Sequence, residues 1–142
     1  MSKYTAIKTE HQKRYNDLFE ECHVFWAFSN EQFIENAKKH PLKDGEKYVQ
    51  IPGGGFMPKG YLDKLQSGLT AIKKWEKQAM NDVKAEEAIL YELNNYECFY
   101  SCEIDDVVDH FAGKYSVDQI RAVYRKYSNL KTKTEKAQEY SL

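Results

Sequence analysis

The sequence predicts an α+β fold: a small antiparallel sheet of about four strands with five or six helices, one of them long, over one face. Three observations carry this expectation. Apolar residues recur at helical spacing in several charged stretches, short aromatic runs separate those stretches, and their order does not repeat the strand–helix–strand alternation of a parallel sheet. With 142 residues the chain fits one core, so a single domain over residues 1–130 and a polar, frayed tail over 131–142 are expected.

Tyr4, Ile7, His11, Leu18 and Cys22 place a first amphipathic helix at about 3–21. The aromatic run from His23 to Phe28 reads as a buried strand. Ser29 and Gln32 then form a capping box that opens a helix over 30–39, which His40-Pro41 stops. Lys43 to Lys47 reads as a polar turn, and Tyr48 to Ile51 as a strand entering the glycines. Phe56 and Met57 begin the return strand.

Leu62, Leu65, Leu69, Ile72, Ala79 and Val83, broadened by Trp75, form the strongest helical stripe, with a break expected near Asn81-Asp82. A second stripe at Ala88, Ile89, Tyr91 and Leu93 runs to Asn94-Asn95. Tyr96 to Ile104 alternates, with Tyr96, Cys98, Tyr100, Cys102 and Ile104 on one side, and predicts a fourth strand. Asp105 to Phe111 reads as a short helix ended by Gly113, and the Ser116–Gln119 capping box opens a last helix to about Ser128.

Composition narrows the function. The formal net charge of −1 lacks the overall basic excess of a dedicated nucleic-acid coat, so nucleic-acid binding requires a local patch. Three cysteines cannot all pair within one chain and no charged-then-apolar leader opens the sequence, so a reducing, cytoplasmic setting is expected. The apolar run Val24–Phe28 is far shorter than the roughly 20 residues that span a bilayer, and no membrane role is expected.

The segment Ile51 to Gly60, IPGGGFMPKG, is the first candidate for chemistry. A phosphate loop requires Gly-Lys-Ser/Thr after its glycines; here Phe56 and Met57 follow, and Lys59 lies beyond Pro58. A hairpin turn is therefore the expected role of Gly53, Gly54 and Gly55. Together with Phe56 and Lys59 they are also candidates for contact with a partner or an anion, because bare glycine amides allow close approach.

Cys98 and Cys102 would lie roughly 13 Å apart on a strand, too far to share a zinc ion, so reduced thiols and no metal are expected. Glu103, Asp105, Asp106, Asp109 and His110 form an acidic cluster in which Asp106 and His110, at i, i+4, could hold a divalent cation or supply a general base. Asp105 and Asp106 also sit where a helix N-terminus favours negative charge, and this structural role is the expected one. Lys73, Lys74 and Lys77 form one basic run. Arg121, Tyr124, Arg125 and Lys126 form another, and it is the candidate nucleic-acid patch. The stripe from Leu62 to Val83 serves the core by default, with homodimerisation its other use.

Three segments, Val24 to Phe33 (VFWAFSNEQF), Tyr48 to Phe56 (YVQIPGGGF) and Tyr91 to Cys98 (YELNNYEC), resemble a family of small uncharacterised proteins met in bacterial phages, plasmids and other mobile elements. The likeness covers about residues 23–105 and brings no catalytic or ligand residues with it. It implies a protein that acts by binding a host protein or nucleoprotein complex, of which an anti-CRISPR type inhibitor of host defence is the most concrete form. The expected function is thus non-enzymatic binding without a cofactor. A nucleic-acid accessory protein using the C-terminal patch is the alternative, and a nucleotide or anion binder at the glycine loop the third reading.

Overall fold

The computed structural model describes residues 2–140, with side chains through residue 129. The fold is α+β, and the chain divides into two compact units, residues 1–81 and 82–142.

The first unit begins with α1 (Lys3–Glu21), whose N-terminus is capped by Ser2 Oγ accepting from Thr5 N–H at 3.2 Å. The helix ends when His23 turns left-handed, at φ 55°; His23 N–H then donates to Glu20 O and Val24 N–H to Phe19 O, which satisfies carbonyls the helix leaves open. The chain next forms β1 (Phe25–Trp26), α2 (Asn30–Ala37), β2 (Tyr48–Ile51) and β3 (Gly55–Pro58). The strands make one antiparallel sheet in the order β1-β3-β2, with Phe25 and Gln50 both opposite Phe56.

The strand expected over residues 23–28 is reduced to two residues for backbone reasons. His23 has left the extended region, and Pro58, at the far end of the central strand, has no N–H to donate. A 3-10 turn, Lys59–Tyr61, leads into α3 (Leu62–Ala79).

Alternation along β3 sends its side chains to two different layers. Met57 packs with Leu18, Cys22, Leu65 and Ile72 in the core between the sheet and helices α1 and α3, and Val49 and Ile51 border it. Phe56 points the other way, into rings contributed by Phe25, Tyr48 and Phe33 of α2. The sheet therefore carries helices on both faces, not one.

Helices α1 and α3 run antiparallel. His11 Nδ1 meets Glu76 Oε2 at 2.6 Å, the Arg14 guanidinium sits 4.2 Å from the Trp75 ring centroid, and Lys64 pairs with Glu21 at 3.6 Å. Gly68 makes the close approach possible, since a Cβ there would fall inside contact distance of both Leu18 methyl carbons.

The expected break after α3 is present as a 3-10 turn, Met80–Asp82. The second unit then comprises α4 (Ala85–Asn95), α5 (Cys98–Ser101), α6 (Asp105–Phe111) and α7 (Val117–Tyr140). Among the described residues, Val83, Ala88, Ile89, Leu93, Cys98, Val107, Phe111 and Ile120 are its buried apolar side chains.

The strand expected over 96–104 does not exist. One helical turn occupies its middle, bounded by left-handed residues Glu97 (φ 56°) and Cys102 (φ 63°), so the sheet has three strands. The Ser116 capping box is complete: Gln119 N–H donates to Ser116 Oγ at 3.1 Å and Ser116 N–H to Gln119 Oε1 at 2.9 Å. Helix α7 extends well past Ser128, and the tail expected from residue 131 lies outside the residues described with side chains.

Alanine in place of a mid-helix glycine usually gains about 1 kcal/mol. Gly68→Ala should instead cost about 1–3 kcal/mol through overpacking against Leu18. Urea denaturation of the variant, alone and combined with Leu18→Ala, measures this; a stabilised single variant would mean that α1 and α3 do not meet at Gly68.

Candidate functional site

The glycine segment forms a hairpin with a three-residue connection, Pro52 to Gly54, and both Gly53 (φ 88°) and Gly54 (φ 87°) occupy the left-handed region. The same glycines form a floor for aromatic rings from the β1 segment. A Cβ at Gly54 would lie 2.7 Å from Phe28 Cε1, and one at Gly55 2.9 Å from Trp26 Cζ3 and 2.6 Å from Ile51 Cγ1. Phe28 nevertheless remains 78% exposed and Trp26 43%. Among the described residues Trp26 pairs with one ring, Phe19 of α1, edge-on at a centroid distance of 6.1 Å.

The backbone carrying these rings is tied down at three points. Ala27 N–H donates to Gly54 O at 3.2 Å, Phe28 N–H to Gln32 Oε1 at 2.8 Å, and Asn36 Nδ2 to Trp26 O at 2.9 Å. Gln32 and Asn36 lie four residues apart on α2, so one face of that helix clamps both ends of the exposed segment. Ser29 Oγ accepts from Gln32 N–H at 3.2 Å and fixes the start of α2.

Of the residues expected to meet a partner, Gly53, Gly54 and Gly55 thus act as the floor. Phe56 is turned into the aromatic layer, and Lys59 is exposed at the 3-10 turn after β3. The hairpin is not arranged as an open nest of amides, because Gly55 pairs with Ile51, the Gly54 carbonyl accepts from Ala27 and the Phe28 ring covers Gly54.

Beneath the hairpin, Phe25, Phe33, Tyr48 and Phe56 pack at centroid separations of 4.9–5.9 Å. His40 stacks on Phe25 at 5.3 Å, and its Nδ1 lies 3.2 Å from His23 Nδ1. The Tyr48 hydroxyl faces the carbonyls of Ala37, at 3.0 Å, and His40, at 2.5 Å. Burial, then the neighbouring His23 and Lys39, hold the His40 imidazole below its ordinary pKa.

In the second unit, Arg121, Tyr124 and Arg125 do converge, on a groove of about 360 Å³. Its other walls are Cys102, Glu103, Ile104 and Asp105, so two carboxylates stand among the two guanidinium groups. Arg121 also approaches Asp118 at 3.7 Å. Tyr124 stacks on Phe99 at 5.3 Å and 8°, and burial, followed by the Cys102 thiol, pushes its phenol up.

Lys126 is engaged elsewhere. Its Nζ meets Glu86 Oε1 at 2.6 Å, the same oxygen that accepts from Tyr127 OH at 2.8 Å, and these bonds from Lys126 and Tyr127 hold the Glu86 carboxyl below its usual value. The patch is consequently a mixed-charge surface, a poor complement to a run of phosphates.

One constellation escaped the sequence reading. Glu92 is wholly buried; its Oε2 lies 3.1 Å from His110 Nε2, its Oε1 accepts from Asn95 Nδ2 at 3.1 Å, and the Tyr96 hydroxyl lies 3.0 Å from His110 Nδ1. A buried carboxylate is costly unless bonded in this way, so the group fastens α4 to α6. The signal was available: Glu92 interrupts an inward stripe otherwise made of Ala88, Ile89 and Leu93.

Cys98 is buried and Cys102 exposed, although one helical turn separates them. Burial pushes the Cys22 and Cys98 thiols up, which disfavours the thiolate that metal binding requires. No group of three metal-ligating side chains occurs among the described residues.

With this geometry in view, comparison with known proteins finds a family model that matches residues 3–135. The chain belongs to DUF7659, a family of unknown function. The DUF7659 match takes in the hairpin, its clamp and the Glu92 group alike. No curated protein and no solved structure matches. Among the described residues, no helix of this DUF7659 chain is long and apolar enough to cross a membrane.

The lowered His40 pKa gives the first unit a pH dependence of definite sign. The unfolded chain takes up this proton near pH 6.5, before the folded chain does, so folding stability is unaffected above that pH and falls as pH drops below it. Thermal melts from pH 7.5 to 5.0 should show a steeper decline for the parent than for His40→Gln; parallel declines would remove His40 as the cause.

Proposed function

We propose that this protein works by protein–protein contact without chemistry of its own, and that the contact surface is the pair Trp26 and Phe28 held over Gly53–Gly55. The observation behind this reading is the three-bond clamp on an exposed aromatic segment. Apolar rings left in water contribute little to folding, yet three hydrogen bonds and a glycine floor fix their backbone. Such preorganisation favours binding, because little conformational entropy remains to be lost when a partner covers the rings. Aromatic side chains are also the usual anchors of protein interfaces.

A narrower form of the proposal is an inhibitor of a bacterial defence complex, of the anti-CRISPR kind. Its support is the likeness of segments 24–33, 48–56 and 91–98 to mobile-element proteins.

An affinity bait tests the surface directly. The parent protein should retain a partner from a lysate of its source cells at near-stoichiometric yield. Phe28→Ala and Trp26→Ala should each weaken retention about tenfold or more, as expected for anchors worth at least 1.4 kcal/mol, while melting temperatures stay within a few degrees. A partner held equally well by both variants would contradict the assignment.

A further inference from the structure

The second unit carries a different recognition feature, independent of the hairpin. We propose that the cleft beside α5 receives an arginine side chain of a protein partner. The cleft has a volume of about 310 Å³ and is lined by Asn94, Glu97, Phe99 and Tyr100. Among the described residues no basic side chain lines it, unlike the Arg121 groove, where guanidinium groups and carboxylates stand together.

Its polar lining residues, Asn94 and Glu97, offer acceptors that suit a donor-rich ligand. Asn94 uses Nδ2 to donate to Leu90 O at 3.2 Å, which leaves Oδ1 as the acceptor on that amide. The Glu97 carboxylate has no ion pair among the described residues. Phe99 is stacked on Tyr124, so the ring face comes from Tyr100, which is 91% exposed and enters no ring pair among the described residues, leaving its π-surface open to a cation. A guanidinium has the five donors and the flat face that suit one carboxylate, one amide oxygen and an aromatic wall.

The backbone reinforces the assignment. Glu97 is the left-handed residue that ends α4, a position glycine or asparagine fills with less strain. It is held there by its N–H donating to Asn94 O at 3.1 Å and by its carbonyl accepting from Tyr100 and Ser101 N–H, each at 3.0 Å. A carboxylate thus occupies a site where the fold alone would favour a smaller residue. Among the described residues the lining also lacks a cation for the α-carboxylate of a free amino acid, which favours a side chain within a polypeptide.

Titration with N-acetyl-L-arginine methylamide, followed by amide NMR shifts, tests the cleft, with the neutral isostere N-acetyl-L-citrulline methylamide as control. Saturable, salt-sensitive shifts at Asn94, Glu97 and Tyr100 are expected with arginine, and affinity about tenfold weaker with citrulline. Glu97→Asn suits the left-handed backbone, so it should remain folded and lose the same tenfold. Equal shifts from the two ligands, no shifts at these residues, or full binding by folded Glu97→Asn would overturn the proposal.

Discussion

The absence of side chains at Gly53, Gly54 and Gly55 is the constraint on which the hairpin end of the first unit depends. Any Cβ at Gly54 or Gly55 would enter the space taken by the rings of Phe28 and Trp26, and a side chain at Gly53 or Gly54 would also meet a left-handed backbone. The glycines are therefore packing residues as much as turn residues. They let the β1 segment lie close against the hairpin, and that closeness brings Ala27 N–H to the Gly54 carbonyl. Once the segment is so placed, Gln32 and Asn36 reach it from a single face of α2, and two aromatic rings become a fixed surface feature.

Where local chemistry and burial agree, the sequence was legible. Helices α1, α2, α3 and α6 lie close to where apolar spacing and capping residues put them, and the Ser116 box bonds reciprocally as its residue types imply. In the Ser29 box, Ser29 Oγ accepts from Gln32 N–H while Gln32 Oε1 reaches back to Phe28 N–H, not to Ser29 N–H. The region from Tyr96 to Ile104 was not legible, because its alternation of apolar and polar residues coincides with a single helical turn between two left-handed residues. Left-handed backbone is ordinarily announced by Gly or Asn; here Glu97 and Cys102 adopt it, and nothing in their side chains signals it. The clamp was half legible. Gln32 was marked as a capping residue, but its reach to Phe28, and that of Asn36 to Trp26, depend on how α2 crosses the end of the sheet.

The second unit shows how charge can be abundant yet locally committed. Lys126 and Tyr127 converge on Glu86, Arg121 leans towards Asp118, and His110 meets the buried Glu92. Counting basic residues along α7 suggests a footprint for nucleic acid, whereas Arg121, Arg125 and Lys126 stand among carboxylates. What distinguishes the α5 cleft is not the number of its charges but the lack of a cation among the described residues of its lining.

The central claim is that the exposed aromatic segment is rigid before any partner arrives. Backbone 15N relaxation of the free protein measures this at the amides of Trp26, Ala27 and Phe28. The account predicts order parameters near 0.85, typical of rigid backbone, with a marked fall in Asn36→Ala. Values below about 0.6 in the parent would mean that the segment moves freely on the ps–ns timescale, and would contradict the account.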